Sequence, residues 1–295
     1  MTTELPPASI QWEDNVGELR DPYLVVGFLG WSDAGAISSD TLHYLTDVLR
    51  PRRVATISCE PFLNYTLERP VAQIEDGIIH DVESPVIEIN VWKNPEGDHD
   101  VVLMLGKEPH YAWMTFTSTV AAVMEQLGVK HLFTVGGVQD AISHTALPTV
   151  SVVGSSPEAV ERAVQLDDSV QTADYYGPIS IHSCLVRTCM ELGIQAISLW
   201  GHTPTYLQKN PRLVARIVEL VARAIGFKCT VGPLRQKAAE LDRKISEALA
   251  RDPDLRQLVE AIEEKHRARR DPNGDDNIIR LNDFVRRDPH RYDDR

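Results

Sequence analysis

A chain of 295 residues, 43% apolar and 25% charged, can bury a sizeable core, and no apolar stretch in it approaches the length that spans a bilayer. The net charge of −13 sits in residues 1–231, where 15 Lys and Arg meet 28 Asp and Glu; this acidic body argues against nucleic-acid backbones and anionic membranes as partners. Residues 1–13 lack the basic-then-apolar pattern of a signal peptide, and the four cysteines are scattered without zinc-ligand spacing, so a reducing cytoplasm and no metal are expected.

Residues 1–21 read as irregular. Tyr23–Leu29 is a near-continuous apolar run, the pattern of a strand covered on both faces. Ile37, Leu42, Leu45, Val48 and Leu49 recur at helical spacing, so a helix runs from Ala36 to Leu49 and stops at Pro51. Val54–Cys59 is the next strand. Val71–Ile79, Val86–Trp92 and Val101–Leu105 read as closely spaced strands, which favours antiparallel pairing and a mixed sheet. Tyr111–Leu127 is a helix with Gly128 as its cap. Val129–Val135 is a strand ending in Gly136-Gly137. Ser151–Gly154 is another, ahead of a Ser156 N-cap and a helix over Pro157–Leu166. Gly177-Pro178 opens a helix that ends near Gly193. Gln195–Trp200 is a strand ending in Gly201-His202, and Pro211–Ile225 is a helix. The alternation predicts a three-layer α/β sandwich with a mixed sheet.

After Gly232-Pro233 the pattern changes. Leu234, Ala238, Leu241, Ile245 and Leu249 form a narrow apolar stripe on a charged helix. Asp252-Pro253 starts a second helix carrying Leu255, Leu258, Val259 and Ile262. This C-terminal helical hairpin either packs back on the body or holds a partner or a second copy. Residues 271–295 read as a linker, Asp271–Asn277, and a disordered tail. The expected division is 1–231, 232–270 and 271–295.

Three strands run into small residues, which predicts a shared crevice at their carboxyl ends. The first wall is Gly30-Trp31-Ser32-Asp33-Ala34-Gly35. It has the glycine spacing of a phosphate-binding loop, but Ala36-Ile37 replace the required Lys and Ser/Thr. It lacks the second glycine of a nucleophile elbow around Ser32, because position 34 is Ala. Ser32 or Asp33 suits a helix cap. The second wall is Gly136-Gly137 with Gln139. Asp140 and His144, four apart, can meet on one helical turn as an acid–base pair. The third wall is Gly201 and Tyr206, with His202 between them; Tyr175, Tyr176 and His182 stand near it in sequence. Asp33, Asp140, His144 and His202 are the candidates for catalysis. No cofactor motif is complete.

Together and in this order these segments resemble the proteasome assembly chaperone family. The strand with Gly30–Gly35 resembles its opening signature. The Gly177-Pro178 helix, Gly193–Leu199 and Pro204-Thr205-Tyr206-Leu207 resemble its closing one. The resemblance covers about residues 20–227, and the helical appendage is similar to that of actinobacterial members. It implies a phosphorylase/hydrolase-like α/β fold, a non-catalytic role in assembly, protein subunits as partners, possible proteasome association, and a homo-oligomer. It implies no catalytic residues. Family members can carry a hydrophobic–Tyr–any-residue tail; here Asp294 stands at the tyrosine position, so docking by that tail is not expected. The rival expectation is an enzyme acting on a small nucleoside-like or phosphate-bearing ligand.

Overall fold

In chain order the elements are β1 (Ile10–Trp12), β2 (Tyr23–Leu29), α1 (Ile37–Leu49), β3 (Arg52–Ser58), β4 (Val71–Glu75), β5 (Ile78–Glu83), β6 (Val86–Trp92) and β7 (Val101–Lys107). There follow α2 (Trp113–Gln126), β8 (His131–Asp140), β9 (Val150–Gly154), α3 (Pro157–Val164), β10 (Val170–Thr172), α4 (Ile181–Leu192), β11 (Gln195–Pro204), α5 (Pro211–Ile225), α6 (Gly232–Arg251) and α7 (Pro253–Arg269). This computed structural model describes residues 10–13 and 16–269. The tail 271–295 and the side chain of Leu258 lie outside the described residues.

Nine strands form one mixed sheet in the order β1-β3-β6-β7-β2-β8-β11-β9-β10. Its centre, β7-β2-β8-β11, is parallel. Antiparallel pairing begins at β6 on one side and β9 on the other. The apolar run of β2 is explained by its place: Tyr23 and Val25 pack toward α1, α3 and α5, while Leu24, Val26 and Phe28 pack toward α2 and α4. The alternation is hidden because both faces are covered. The three-layer mixed α/β expectation therefore holds.

Local signals explain the helix starts. Ser156 accepts from the Ala159 amide, Ser180 from His182 and Asn210 from Leu213, with Pro157 and Pro211 in first turns. Helix α4 begins at Ile181 rather than at Gly177-Pro178, because Ser180 is the residue that caps it. The first half of α6 seats on the α1/α5 layer. Leu234 and Ala238 are buried there, Arg212 pairs with Asp242, and Tyr44 donates to the Thr230 carbonyl at 2.7 Å. Of the two expectations for this stripe, packing on the body accounts for Leu234 and Ala238.

Three features depart from the sequence reading. Val71–Ile79 is not one strand: Asp76 and Gly77 turn the chain, and β4 and β5 form a separate two-stranded ribbon. Residues 10–12 form a strand in the segment read as irregular. Strands β8 and β11 run past their glycines, paired in parallel as far as Pro204 with Asp140.

Candidate functional site

The carboxyl ends of the parallel strands build the site from close backbone approach. Gly136-Gly137 and Gly201 are not turns. A Cβ on Gly136 would meet the Trp200 ring at 2.8 Å, and one on Gly201 would meet Leu213 at 2.8 Å. Glycine stands there because neighbours need the space, within continuous ladders. Gly137 donates its N–H to the Ser32 carbonyl at 2.7 Å, tying the 30–36 turn to β8. Gly35 and Ala36 are both left-handed, with φ of 65° and 51°, as the chain bends into α1.

Asp33 lies three residues before Ala36, the N-cap position of α1, and its side chain reaches forward to that helix. Its two carboxylate oxygens accept the Ser39 backbone N–H at 3.0 Å and the Ser39 hydroxyl at 2.6 Å, in the first turn of α1. Burial pushes its pKa up, opposed by those bonds. Trp31 points outward, more than half exposed, while Ser32 is buried beneath it in sequence.

Ser32 Oγ meets His182 Nε2 at 3.1 Å. His182 is fully buried, with its ring edge-on to Phe28 and tilted against Trp200. Burial lowers its pKa to about 3, so the ring is neutral at physiological pH. Its Nδ1 has no hydrogen-bond partner among the described residues. Next to it, Glu108 accepts the Ile181 N–H at 3.0 Å, a carboxylate at the start of α4.

The helical turn expected to carry Asp140 and His144 is absent, because β9 follows β8 with no helix between them. Asp140 instead meets His202 across the β8/β11 register: Oδ2 lies 2.9 Å from Nδ1. His202 Nε2 lies 2.6 Å from Ser151 Oγ on the neighbouring strand β9. His144 contacts Tyr206, whose hydroxyl is 2.8 Å from the His144 backbone nitrogen and 2.9 Å from Nδ1. So the structure joins Asp140 to His202 and His144 to Tyr206, and it commits Asp33 to Ser39. Ser151 and Glu108 were missed: a serine in a strand and a glutamate before proline carry no local motif.

Other expected walls are open. Gln139 is exposed, and Gly30, with φ 137°, lies beside Glu108. Tyr175 bonds its own Pro178 carbonyl at 2.6 Å, and Tyr176 is fully exposed, so neither walls a closed pocket. A groove of about 570 Å³ lies elsewhere, between α5, α6, the 147–149 loop and the segment 168–171 that enters β10. Among the described residues no group of three or more His, Cys, Asp and Glu is placed to hold a metal ion, and no helix is long and apolar enough to cross a membrane.

The mixed nine-stranded sheet with helices on both faces and the glycine-tied turn after β2 define a three-layer α/β protein. The chain belongs to the PAC2 family, whose family model matches residues 27–249. A proteasome-assembly chaperone homologue from Mycobacterium tuberculosis is similar at 28% identity, with a TM-score of 0.71 over 80% of this chain and 99% of its own. A PAC2 family protein from Streptomyces avermitilis is similar at 26% identity, with a TM-score of 0.69 over 77% and 95%. The archaeal proteasome activator PbaB of Pyrococcus furiosus shares the fold at 16% identity and a TM-score of 0.67 over 83% and 99%. No curated protein sequence matches the chain.

Proposed function

We propose that this protein is a non-catalytic, cytoplasmic assembly factor that binds protein subunits at the carboxyl-end rim of its sheet. One observation carries the reading. Trp31, Tyr111, Met114, Leu147 and Ile179 are each more than half exposed, and each lies in a segment that follows a central parallel strand or precedes α4 at the same end. Exposed aromatics and Met are what protein-binding surfaces enrich. The relatives named as proteasome-assembly chaperone homologue and proteasome activator make proteasome subunits the first partners to test. In this reading the expected division stands as a proposal, with α6 and α7 as a helical unit added to the α/β body.

The test is a native-extract pull-down with the full chain and with Trp31→Asp plus Met114→Asp, both checked for folding, read by mass spectrometry. Recovery of a multi-subunit assembly that falls at least about tenfold with the double variant supports the rim. Equal recovery with both chains, or none with either, removes this reading.

A second reading rests on Asp140, His202 and Ser151. Their order matches acid, base and nucleophile in serine hydrolases. In a hydrolase-like reaction on a small phosphate-bearing or nucleoside-like ester, Ser151 Oγ would bond the electrophilic centre and pass its proton to His202 Nε2. The leaving alkoxide would then take that proton. Ser151 is only 5% exposed, which ranks this reading second. A fluorophosphonate probe decides it: labelling at Ser151 that is lost in His202→Ala supports it, and an unlabelled chain removes it.

A further inference from the structure

At the amino end of the sheet, opposite the rim, two histidines share one carboxylate. Asp21 precedes β2, His99 precedes β7 and His131 opens β8. Asp21 Oδ2 lies 3.1 Å from His99 Nδ1 and 3.6 Å from His131 Nε2. His99 Nδ1 also lies 3.0 Å from the Asp21 carbonyl; both partners are acceptors, so this nitrogen carries the proton and donates. The buried Tyr23 ring touches both imidazoles. His131 stacks on it at 4.3 Å, and His99 meets it edge-on at 4.9 Å. The Tyr23 hydroxyl lies 3.4 Å from Arg162 Nη2 on α3. His131 is thus faced by one anion, Asp21, by the cation Arg162, by the titratable ring of His99 and by the Tyr23 phenol.

The segment 16–22 has two fastenings of different kinds. Arg20 is tied to Asp100 through its backbone N–H at 2.9 Å and its guanidinium at 3.1 Å, without a histidine. Asp21 is tied through the imidazoles, and its φ of 33° is left-handed, a conformation that a non-glycine residue keeps only when its surroundings hold it. The same segment walls a groove of about 600 Å³ against the end of α2. Protons act on the second fastening alone. Neutral rings meet the carboxylate without crowding charge. With both rings protonated, two imidazoliums and Arg162 gather at one carboxylate, and the added charge is repelled. His131 shows the direction: burial lowers its pKa, Asp21 opposes that, and the Arg162 and His99 charges lower it further. We infer that Asp21, His99 and His131 form a proton-operated latch, closed while both rings are neutral and released by acid, that fastens the segment 16–22 to the amino end of the sheet. His131 sets the sign. The open form takes a proton that the closed form resists, so closure is complete above about pH 6.5 and weakens as pH falls below it. This inference does not depend on the rim's binding role.

The test is hydrogen exchange of the full chain at about pH 7.5 and about pH 5.5, corrected for intrinsic rates and read at the amides of residues 17–21. Their protection is expected to fall at least about threefold at the lower pH. In His131→Gln, which keeps a donor but cannot titrate, that pH dependence should be lost. Any effect of His182 on global stability is common to both chains and cancels. Arg162 is exposed, so Arg162→Gln checks the same balance without disturbing the core, and its acid loss of protection should be smaller than the wild type's. Histidine ring NMR locates the proton: the His131 midpoint should move up in Arg162→Gln and down in Asp21→Asn. Equal pH dependence in the wild type and His131→Gln overturns the latch, as does protection that rises in acid, or a His131 midpoint that moves the same way in both charge variants.

Discussion

Gly137 and Ala34 approach so closely that a Cβ on Gly137 would stand 2.2 Å from the Ala34 carbonyl oxygen. That oxygen is backbone in a turn held by the Gly137-to-Ser32 hydrogen bond, so neither side has room to yield. Gly137→Ala should cost about 3 kcal/mol or more, read by denaturant unfolding. Gly128→Ala is the control. Gly128, unlike Gly137, has positive φ, but nothing lies within 4 Å of the added carbon, and about 1 kcal/mol is expected. Equal costs at the two positions would refute the crowding argument.

His182 makes stability depend on pH. Its folded pKa is depressed to about 3, so below about pH 6.5 the unfolded chain binds a proton that the folded chain does not. Stability therefore falls as pH drops through this window and is unaffected above it. From pH 7 to pH 5 the histidine should remove about 2 kcal/mol. His182→Leu should show a stability curve flatter by that amount, whatever its absolute stability. A parallel curve would mean that His182 is protonated in the fold.

Asp33 holds the first turn of α1 through both of its Ser39 contacts. Asp33→Ala should lower unfolding free energy by about 1 to 2 kcal/mol. Asp33→Asn keeps an acceptor for the Ser39 N–H and should lose less. If both variants lose nothing, the carboxylate does not hold that turn, and its value as a working group would rise.

Leu234 joins α6 to the body within the core cluster that includes Val214 and Val218 of α5. Leu234→Ala should cost about 2 to 3 kcal/mol by denaturant unfolding. Leu249→Ala, farther along the same stripe, is expected to cost less than about 1 kcal/mol, because only Leu234 and Ala238 of α6 are buried. Equal losses would show that the whole stripe is covered in solution.

Much of the architecture was legible because its signals are local. Tyr23–Leu29 declares a doubly covered strand, and Asn210 with Pro211 gives the start of α5. Glycine is ambiguous, because in sequence a glycine that admits a neighbour looks like one that turns the chain. Gly136, Gly137 and Gly201 serve the first purpose. Asp76-Gly77 is the opposite case, a hairpin signal inside a run that reads as one strand. The site was harder. Asp140 and His202 are 62 residues apart and meet only through parallel register; Ser151 joins them from an antiparallel neighbour. No spacing rule encodes such contacts, since sheet order sets them.

The hydrogen bond from Gly137 to Ser32 also bears on Trp31, the residue just before that serine. Its backbone is fastened to the middle of the sheet while its indole projects into solvent. A partner that covers this ring would find the main chain already ordered. Little freedom is left for it to surrender, so more of the contact energy survives as affinity.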